Sequence, residues 1–491
     1  MNIADILKVQ QAARAEHPAM ECGDALITYG ELAVLVDRCA ARMRKQGIHG
    51  GDVLAINLPD CIEYLVVLYG LAKIGAIAFP VAGTSPAPEQ KRLLEQSGAR
   101  HLIAAAGPSP LKSVPVLALS GLCTIDSGID PAAAEKVSTA GFDANTPLII
   151  ISSSGTSAAA KFLLLTHAQM HWRITTRERN IGFAPTDRYL SAIKLSFNLA
   201  RLRCMRAIQS GATIVFPGPD AGETLVDLVH SSDITITNLL PTQVRRLADR
   251  NRGKGPLLPG VRVVIGSSPV SAQDRRRLRR RITPHLYEVY AATETGPIAV
   301  AAPADQDARP QSVGMLAEGV EAQVVDANDV PLAAGEVGHI RFRTPNLPTA
   351  YLDNPEASAK AFRGGWFYPG DMASISADGY VFLKGRDDDV INNEGAKFYP
   401  REVEEVLMTH PAVVEAAVIG WPHRKVGEAA VACVVVKKKV PATMLKEFCR
   451  QRIPGFKVPF AVLILNKLPK NESGKVLKRE LKPIIQRRLQ T

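Results

Sequence analysis

Residues that could hold a phosphate come early in the chain. The segment SSSGTSAAAKF, Ser152 to Phe162, offers small residues that let backbone N–H groups approach an anion, hydroxyl donors, and a lysine to meet negative charge. It lacks the G-x-x-x-x-G-K-[ST] pattern, which disfavours an ordinary P-loop ATPase, and read alone a Ser-rich turn is more often only a turn. His167 and His171 stand four apart on an expected helix, but the glutamate of a zinc-protease helix is missing, so core or surface histidines are the better reading. The seven cysteines occur singly, with no C-x-x-C pair. Reduced, mostly buried thiols are expected, not a disulfide framework or a zinc knuckle.

The pattern around these residues says where such a loop would sit. Thr28-Tyr29-Gly30-Glu31 is a capping box opening a helix whose apolar side is Leu32, Leu35, Val36, Cys39, Ala40 and Met43, with Gly47 ending it. The strand-like VLAINL (Val53 to Leu58), a second helix from Asp60 with Glu63 three residues on, and the apolar AIAFPV follow. Alternating units of this kind imply parallel sheets covered by helices, which bind ligands beyond the carboxyl ends of their strands. PLIIISSS, residues 147 to 154, fits that place: an apolar strand running into hydroxyl residues, with a helix start expected at Thr166.

Further on, Asp378-Gly379-Tyr380 reads as a hairpin turn, and Gly385-Arg386-Asp387-Asp388-Asp389 as a polar break. A chain of 491 residues is too long for one ordinary core, and the boundary is placed at this break, giving domains 1–386 and 387–491. The second holds a helix (Pro400 to Met408), the strands VVEAAVIG and AAVACVVV, another helix and a basic tail. The expected fold class is α/β: a large N-terminal domain of helix-covered, mostly parallel sheets with a β-rich subdomain, plus a small C-terminal α+β domain.

In order along the chain come SSSGTSAAAKF, YAATETG (Tyr290 to Gly296), GWFYPGD (Gly365 to Asp371), GRDDDVINNEGAKFYPREVEEVL (Gly385 to Leu407) and LPKNESGKVLKREL (Leu468 to Leu481). Together with TYGEL near residue 28 they resemble the signature motifs of the adenylate-forming superfamily: acyl- and aryl-CoA synthetases, peptide-synthetase adenylation domains and beetle luciferases. The resemblance covers nearly the whole chain. It implies a two-step ligase using ATP, Mg²⁺ and CoA, with a mobile C-terminal lid.

The resemblance also implies roles. Ser153, Ser154, Thr156, Ser157 and Lys161 would hold the β- and γ-phosphates of ATP, hydroxyls and an ammonium group suiting a pyrophosphate leaving group. Tyr290 would pack on adenine, Thr293 would meet the α-phosphate, and Glu294 would be a Mg²⁺ ligand, since a carboxylate beside a phosphate needs a hard cation between them. Asp371 would accept hydrogen bonds from the ribose hydroxyls and Arg386 would contact the ribose. Asp388 matches the hinge, and Gly395 matches the glycine lining the thiol's tunnel once the small domain has rotated. Lys475, in Ser473-Gly474-Lys475, matches the lysine bridging substrate carboxylate and α-phosphate, where two anions must meet.

Some positions depart from the family pattern. Ala158, Ala160 and Phe162 stand where the loop commonly has its second glycine, its proline and its last glycine, and Ala291 replaces the glycine after the tyrosine. For the acid pocket the resemblance points to Phe197, Asn198, Gly266 and Ala291. Phe197-Asn198 occupies the place of the Phe-Asp pair of amino-acid-activating domains, so an α-amino acid is disfavoured. Asn198 could hydrogen-bond a hydroxyl or amide, or could simply cap a loop. Arg201, Arg203 and Arg206 could meet a second carboxylate or CoA phosphates, though a solvated helix face explains them more simply.

The net charge of +11 suits a protein handling polyanions, among which ATP, CoA and an acidic carrier protein qualify as well as nucleic acid. The arginines from Arg275 to Arg281 read as a solvated helix face, because no aromatic residues are interleaved for base stacking. No nucleic-acid partner is expected. The stretch from Tyr64 to Val81 is interrupted by Lys73 and two glycines, and the N-terminus has no signal-like apolar run, so no membrane span and a cytoplasmic location are expected. The leading expectation is an acyl- or aryl-CoA synthetase acting on a small-molecule carboxylic acid. A stand-alone enzyme loading an acyl carrier protein is the alternative. A non-catalytic ligand- or nucleic-acid-binding protein keeping the fold is a third.

Overall fold

The computed structural model describes residues 1–105, 107–125, 136–153, 161–178, 181–218, 224–268, 270–471 and 474–489. Helices and strands alternate as the pattern requires. Thr28 accepts from the Glu31 N–H (3.2 Å) while Glu31 accepts from the Thr28 N–H (2.7 Å), and the helix so opened runs Tyr29–Lys45 with its apolar side buried. Thr166 and Gln169 make the same reciprocal pair ahead of the helix His167–Thr175.

Two sheets before the polar break are built mainly of parallel strands. In the first, of nine strands, Pro18–Cys22, Thr213–Phe216, Arg188–Leu190, Ile236–Leu239, Arg262–Ile265 and Leu286–Ala292 lie parallel in that spatial order. Antiparallel strands close both edges. The second, of six strands, is parallel from Val116–Ala118 to Pro147–Ser153 and ends on Lys161–Thr166, antiparallel to Pro147–Ser153. The hydroxyl-rich segment therefore joins the two arms of a hairpin, and the next helix starts only after the return strand. Six strands from Glu321–Val325 to Val381–Arg386 form an antiparallel sheet. Asp378-Gly379-Tyr380 does turn the chain there, Gly379 adopting φ +85°.

Residues after the polar break build a fourth sheet of five strands, flanked by Pro400–Met408, Ala442–Arg450 and Lys478–Leu489. Its two apolar clusters draw on residues from Ile391 onward, whereas the largest cluster of the preceding chain reaches only to Leu383. The helix Ile62–Ile74 is buried along its length, and among the described residues no helix is long and apolar enough to cross a membrane. Five of the seven cysteines are buried and all are free.

Three expectations need correction. The helix expected from Asp60 begins at Ile62 with no side-chain cap; Asp60 instead accepts from the Leu195 N–H at 2.6 Å, and withdrawal from water raises its pKa. Arg201, Arg203 and Arg206 are not a solvated face: all three are buried on Asn198–Ser210. Of the Arg275 to Arg281 run, Arg275 is buried on Glu288 at 2.5 Å, and Arg277 and Arg279 are paired with Asp249 and Asp307. Helical spacing alone could not show these partners, which lie far along the chain.

His167 is fully buried, and its Nδ1 accepts from the Ile3 N–H at 2.9 Å, fastening the N-terminus to the core. Burial, and then the N-terminal charge, pulls its pKa down to about 4. The folded chain thus takes up this proton only well below the unfolded value of about 6.5. Stability is fully present above pH 6.5 and falls as pH drops toward 4, by up to about 3 kcal/mol. Thermal melting across that range should show the decline, and His167→Gln should flatten it.

Candidate active site

The carboxyl ends of the first sheet's parallel strands open into a cleft of about 1740 Å³, which the antiparallel sheet and the C-terminal residues wall off on the other side. Tyr290, Thr293, Glu294, Asp371, Arg386 and Asp388 line it, as do Lys161 and Lys475. Phe197, Asn198, Gly266 and Ala291 line it too. Ser154, Thr156, Ser157, Ala158 and Ala160 lie outside the described residues, and of Ser153 only the backbone is described, paired with Lys161.

The strand Leu286–Ala292 delivers Tyr290, whose hydroxyl donates to Asp371 Oδ2 at 2.5 Å. Loss of solvent, followed by the Asp371 charge, pushes the Tyr290 phenol well above its ordinary value, so it stays a donor. Arg386 Nη1 donates to the Pro369 carbonyl at 2.6 Å and meets Asp371 Oδ1 at 3.3 Å. Gly370, at φ +78°, takes a left-handed turn under that guanidinium, where a Cβ would stand 3.0 Å from Arg386 Nη2. Asp371 is thus oriented from both sides and, as a carboxylate, keeps further acceptor capacity.

Thr293 and Glu294 form the turn before the return strand Gly296–Ala301. Arg173 holds the turn by its backbone, donating to the Thr293 carbonyl at 2.7 Å and the Glu294 carbonyl at 2.5 Å. Burial pulls the Arg173 pKa down to about 10, which leaves it charged at neutral pH. Arg206 donates to the Arg173 carbonyl at 2.6 and 3.0 Å, and Glu178 meets Arg203 at 2.6 Å and Arg206 at 3.2 Å. The arginines read as helix surface are therefore an internal brace behind the turn. The Glu294 side chain is held separately: Tyr351 donates to its Oε1 at 2.6 Å, and Lys161 Nζ sits 5.0 Å from the centre of the Tyr351 ring. Sequence reasoning missed Arg173, Glu178 and Tyr351. Tyr351 lies in a loop 57 residues beyond Glu294, where no periodicity marks it.

Phe197 precedes the helix Asn198–Ser210 and Asn198 is its first residue, so Asn198 caps no loop. Asp60, through Leu195, fixes the approach to this helix, and Arg201 Nη1 donates to the Leu195 and Ser196 carbonyls at 2.6 and 2.8 Å. A Cβ on Gly266 would lie 3.0 Å from the Val289 carbonyl, so a side chain there would press on the cleft floor. Phe162 is a core residue, edge-on to Phe79 at 5.4 Å, and its carbonyl accepts from the Leu352 N–H at 2.8 Å.

Lys475 reaches the cleft from a tight turn. The Lys475 N–H donates to Asn471 Oδ1 at 2.9 Å, and Gly474, at φ +82°, abuts Thr242, whose Cγ2 would lie 3.0 Å from an added Cβ. Gly395 is elsewhere: it sits exposed on the Ile391–Asn393 and Ala396–Phe398 hairpin and does not line the cleft in this conformation. A Cβ there would meet nothing within 4 Å, and the need for glycine comes from φ +87°.

The comparisons with known proteins agree with this geometry. Residues 7–352 match the model of the AMP-binding enzyme family, and residues 402–475 match that of the AMP-binding enzyme C-terminal domain. The chain is 29% identical over 482 residues to a feruloyl-CoA synthase of Amycolatopsis sp, covering 96% of this chain and 97% of that protein. It is 28% identical over 485 residues to the fatty acid–[acyl-carrier-protein] ligase ScoC of Streptomyces coeruleorubidus, covering 95% and 93%. Its fold matches ATP-bound MatB from Rhodopseudomonas palustris with a TM-score of 0.86 and 25% identity over 99% of both chains. The chain belongs to the AMP-binding enzyme family.

Proposed function

We propose that this protein activates a carboxylic acid with ATP, forming acyl-AMP and pyrophosphate, and then transfers the acyl group to the thiol of CoA. The observation that carries this reading is the convergence in one cleft of Asp371 and Arg386, Thr293 and Glu294, Lys475, and an apolar wall containing Phe197 and Ala291. Asp371 and Arg386 suit the ribose, with Tyr290 against the adenine. Ser153, Ser154, Thr156, Ser157 and Lys161 suit the departing pyrophosphate. Thr293 and Lys475 suit the α-phosphate, where the acid's carboxylate attacks phosphorus.

Among the described residues no group of three or more acidic, histidine or cysteine side chains could cage a metal ion. Glu294 alone fits a magnesium ion that takes its remaining ligands from phosphate oxygens and water. Such an ion would spread the charge of the leaving pyrophosphate. Tyr351, by occupying Oε1, fixes the direction in which this carboxylate faces. Tyr351→Phe keeps the ring against Phe362 and removes one charge-assisted hydrogen bond. It should lower kcat/KM for MgATP in pyrophosphate exchange about tenfold. Titrating Mg²⁺ in that assay should show a higher requirement, and an unchanged requirement would remove Tyr351 from the account.

Residues 1–386 act as the ATP- and acid-binding domain and residues 387–491 as a lid that turns about Asp388. Lys475 faces the cleft for the first half-reaction. Rotation then withdraws it and brings Gly395 to the thiol's path. A cytoplasmic location suits free thiols and these substrates. Acid-dependent ATP–pyrophosphate exchange tests the first half, and absence of exchange across a broad acid panel would refute it. Mass spectrometry with CoA against holo-carrier protein tests the second. The carrier alternative rests on similarity to ScoC and on the basic charge, which suits an acidic partner.

A further inference from the structure

The positive charge of this chain is concentrated in one stretch. Residues 241–281 hold eleven arginines and one lysine against two aspartates, a net charge of +10 in a chain whose total is +11. They form the helices Pro241–Arg250 and Ala272–Arg281, with the strand Arg262–Ile265 between them. Val244, Ala248, Leu278 and Ile282 hold both helices in the second apolar cluster. Arg245 meets Asp274 at 2.5 Å, Arg277 pairs with Asp249, and Asn251 Nδ2 donates to the Arg281 carbonyl at 2.8 Å. The helices therefore run side by side in the same direction.

These contacts leave two outward rows unmatched. Arg246 and Arg250 stand one turn apart on the exposed side of the first helix, and Arg276 and Arg280 on that of the second. Exposed Arg252 and Lys254 extend the face beyond the first helix. The nearby carboxylates are taken by other residues, Asp274 by Arg245, Asp249 by Arg277 and Asp307 by Arg279, and the six find no ion-pair partner among the described residues. Like charges four apart on a helix repel, so folding alone does not explain the two rows. They lie about 10 Å apart, the spacing of packed helices.

The composition of this face selects its partner. Guanidinium groups bind carboxylates through two parallel hydrogen bonds, which ammonium groups cannot match. Between residues 241 and 281 no large hydrophobic side chain is exposed among the described residues, which leaves nothing to enter a lipid surface. No aromatic residue occurs there for base stacking. An acidic protein surface is the complementary occupant. The place matters too: Thr242 lies against Gly474, and Arg245 lines the cleft that Lys475 enters. The first helix is about 15 Å long, so a protein seated on these rows stands beside the cleft.

We propose that this face docks an acidic carrier protein bearing the thiol that accepts the acyl group. The inference rests on the adenylation reading and adds the partner and its docking surface. The thiol sulfur attacks the carbonyl carbon of acyl-AMP, the bond from that carbon to the phosphate oxygen breaks, AMP leaves with the electron pair, and the thiol proton passes to water.

A panel of holo-acyl carrier proteins of net negative charge tests this, with the full-length chain and an acid that supports pyrophosphate exchange. Arg246→Glu, Arg250→Glu, Arg276→Glu and Arg280→Glu made together should lower kcat/KM for carrier acylation about 30-fold or more. The matching glutamine variant, which relieves the repulsion along each helix and should melt no lower than wild type, should lower it about fivefold. Exchange and the KM for free CoA should stay within about twofold of wild type in both. Raising salt from about 0.03 to about 0.3 M should lower the wild-type carrier value about tenfold and leave the glutamate variant nearly unchanged. A carrier value unaffected by both variants, or no acylation of any carrier, overturns the inference while leaving adenylation standing. So does a KM for CoA that rises as much as that for the carrier, or tighter binding of duplex DNA or phosphatidylserine vesicles than of carrier at equal salt. Exchange with no acid at all overturns the adenylation reading and this inference with it.

Discussion

Lys475→Ala is expected to reduce acid-dependent ATP–pyrophosphate exchange about 100- to 1000-fold while sparing thioester formation from supplied acyl-AMP. That range corresponds to roughly 3–4 kcal/mol of barrier. It is the size expected for one unit charge about 4 Å from a forming anionic centre at an effective dielectric near 20. The lysine can deliver it because its turn is fixed, by Asn471 Oδ1 on the Lys475 N–H and by Gly474 against Thr242. The second half-reaction starts from a carboxyl group already joined to phosphate, so no second anion has to be brought in and the charge is not needed. Exchange and single-turnover thioesterification, measured on the same preparation, separate the two steps. Equal losses in both would contradict the role.

Asp388→Pro should act in the opposite sense, impairing thioester formation about tenfold or more beyond any loss of exchange. Residue 388 is the middle of the turn Asp387–Asp389, directly after the last strand of the antiparallel sheet. Rotation about it requires a change of backbone dihedrals, and proline fixes φ near −65°. The substitution also removes the carboxylate 3.3 Å from Arg386 Nε, so some loss of exchange is expected beside it. Asp388→Ala separates the effects, since it loses the carboxylate and keeps the backbone free. If alanine and proline behave alike, the turn is not where the domain swings, and the boundary at residue 386 moves.

Local signals were legible and distant ones were not. The capping boxes at Thr28 and Thr166, the strand Pro147–Ser153, the turn at Gly379 and the helix Pro400–Met408 each rest on residues within a few positions of one another. The resemblance of five motifs then brought Tyr290, Glu294, Asp371, Arg386 and Lys475 together before any geometry was known. What the sequence hid depends on partners met only in the fold. Arg203 and Arg206 look like solvent-facing charges because Glu178 lies on a separate segment before their helix. Asp60 looks like a helix cap because its acceptor role toward Leu195 spans 135 residues.

The seat of Gly474 against Thr242 also shows how closely the C-terminal residues approach the helix Pro241–Arg250. A Cβ at residue 474 would stand 3.0 Å from Thr242 Cγ2, so that side chain would have to give by a few tenths of an ångström, and φ +82° would strain any residue but glycine. On the proposed reading, a lid that stopped short would leave the Lys475 charge outside the cleft, and the bare backbone of Gly474 is what lets the turn come that close.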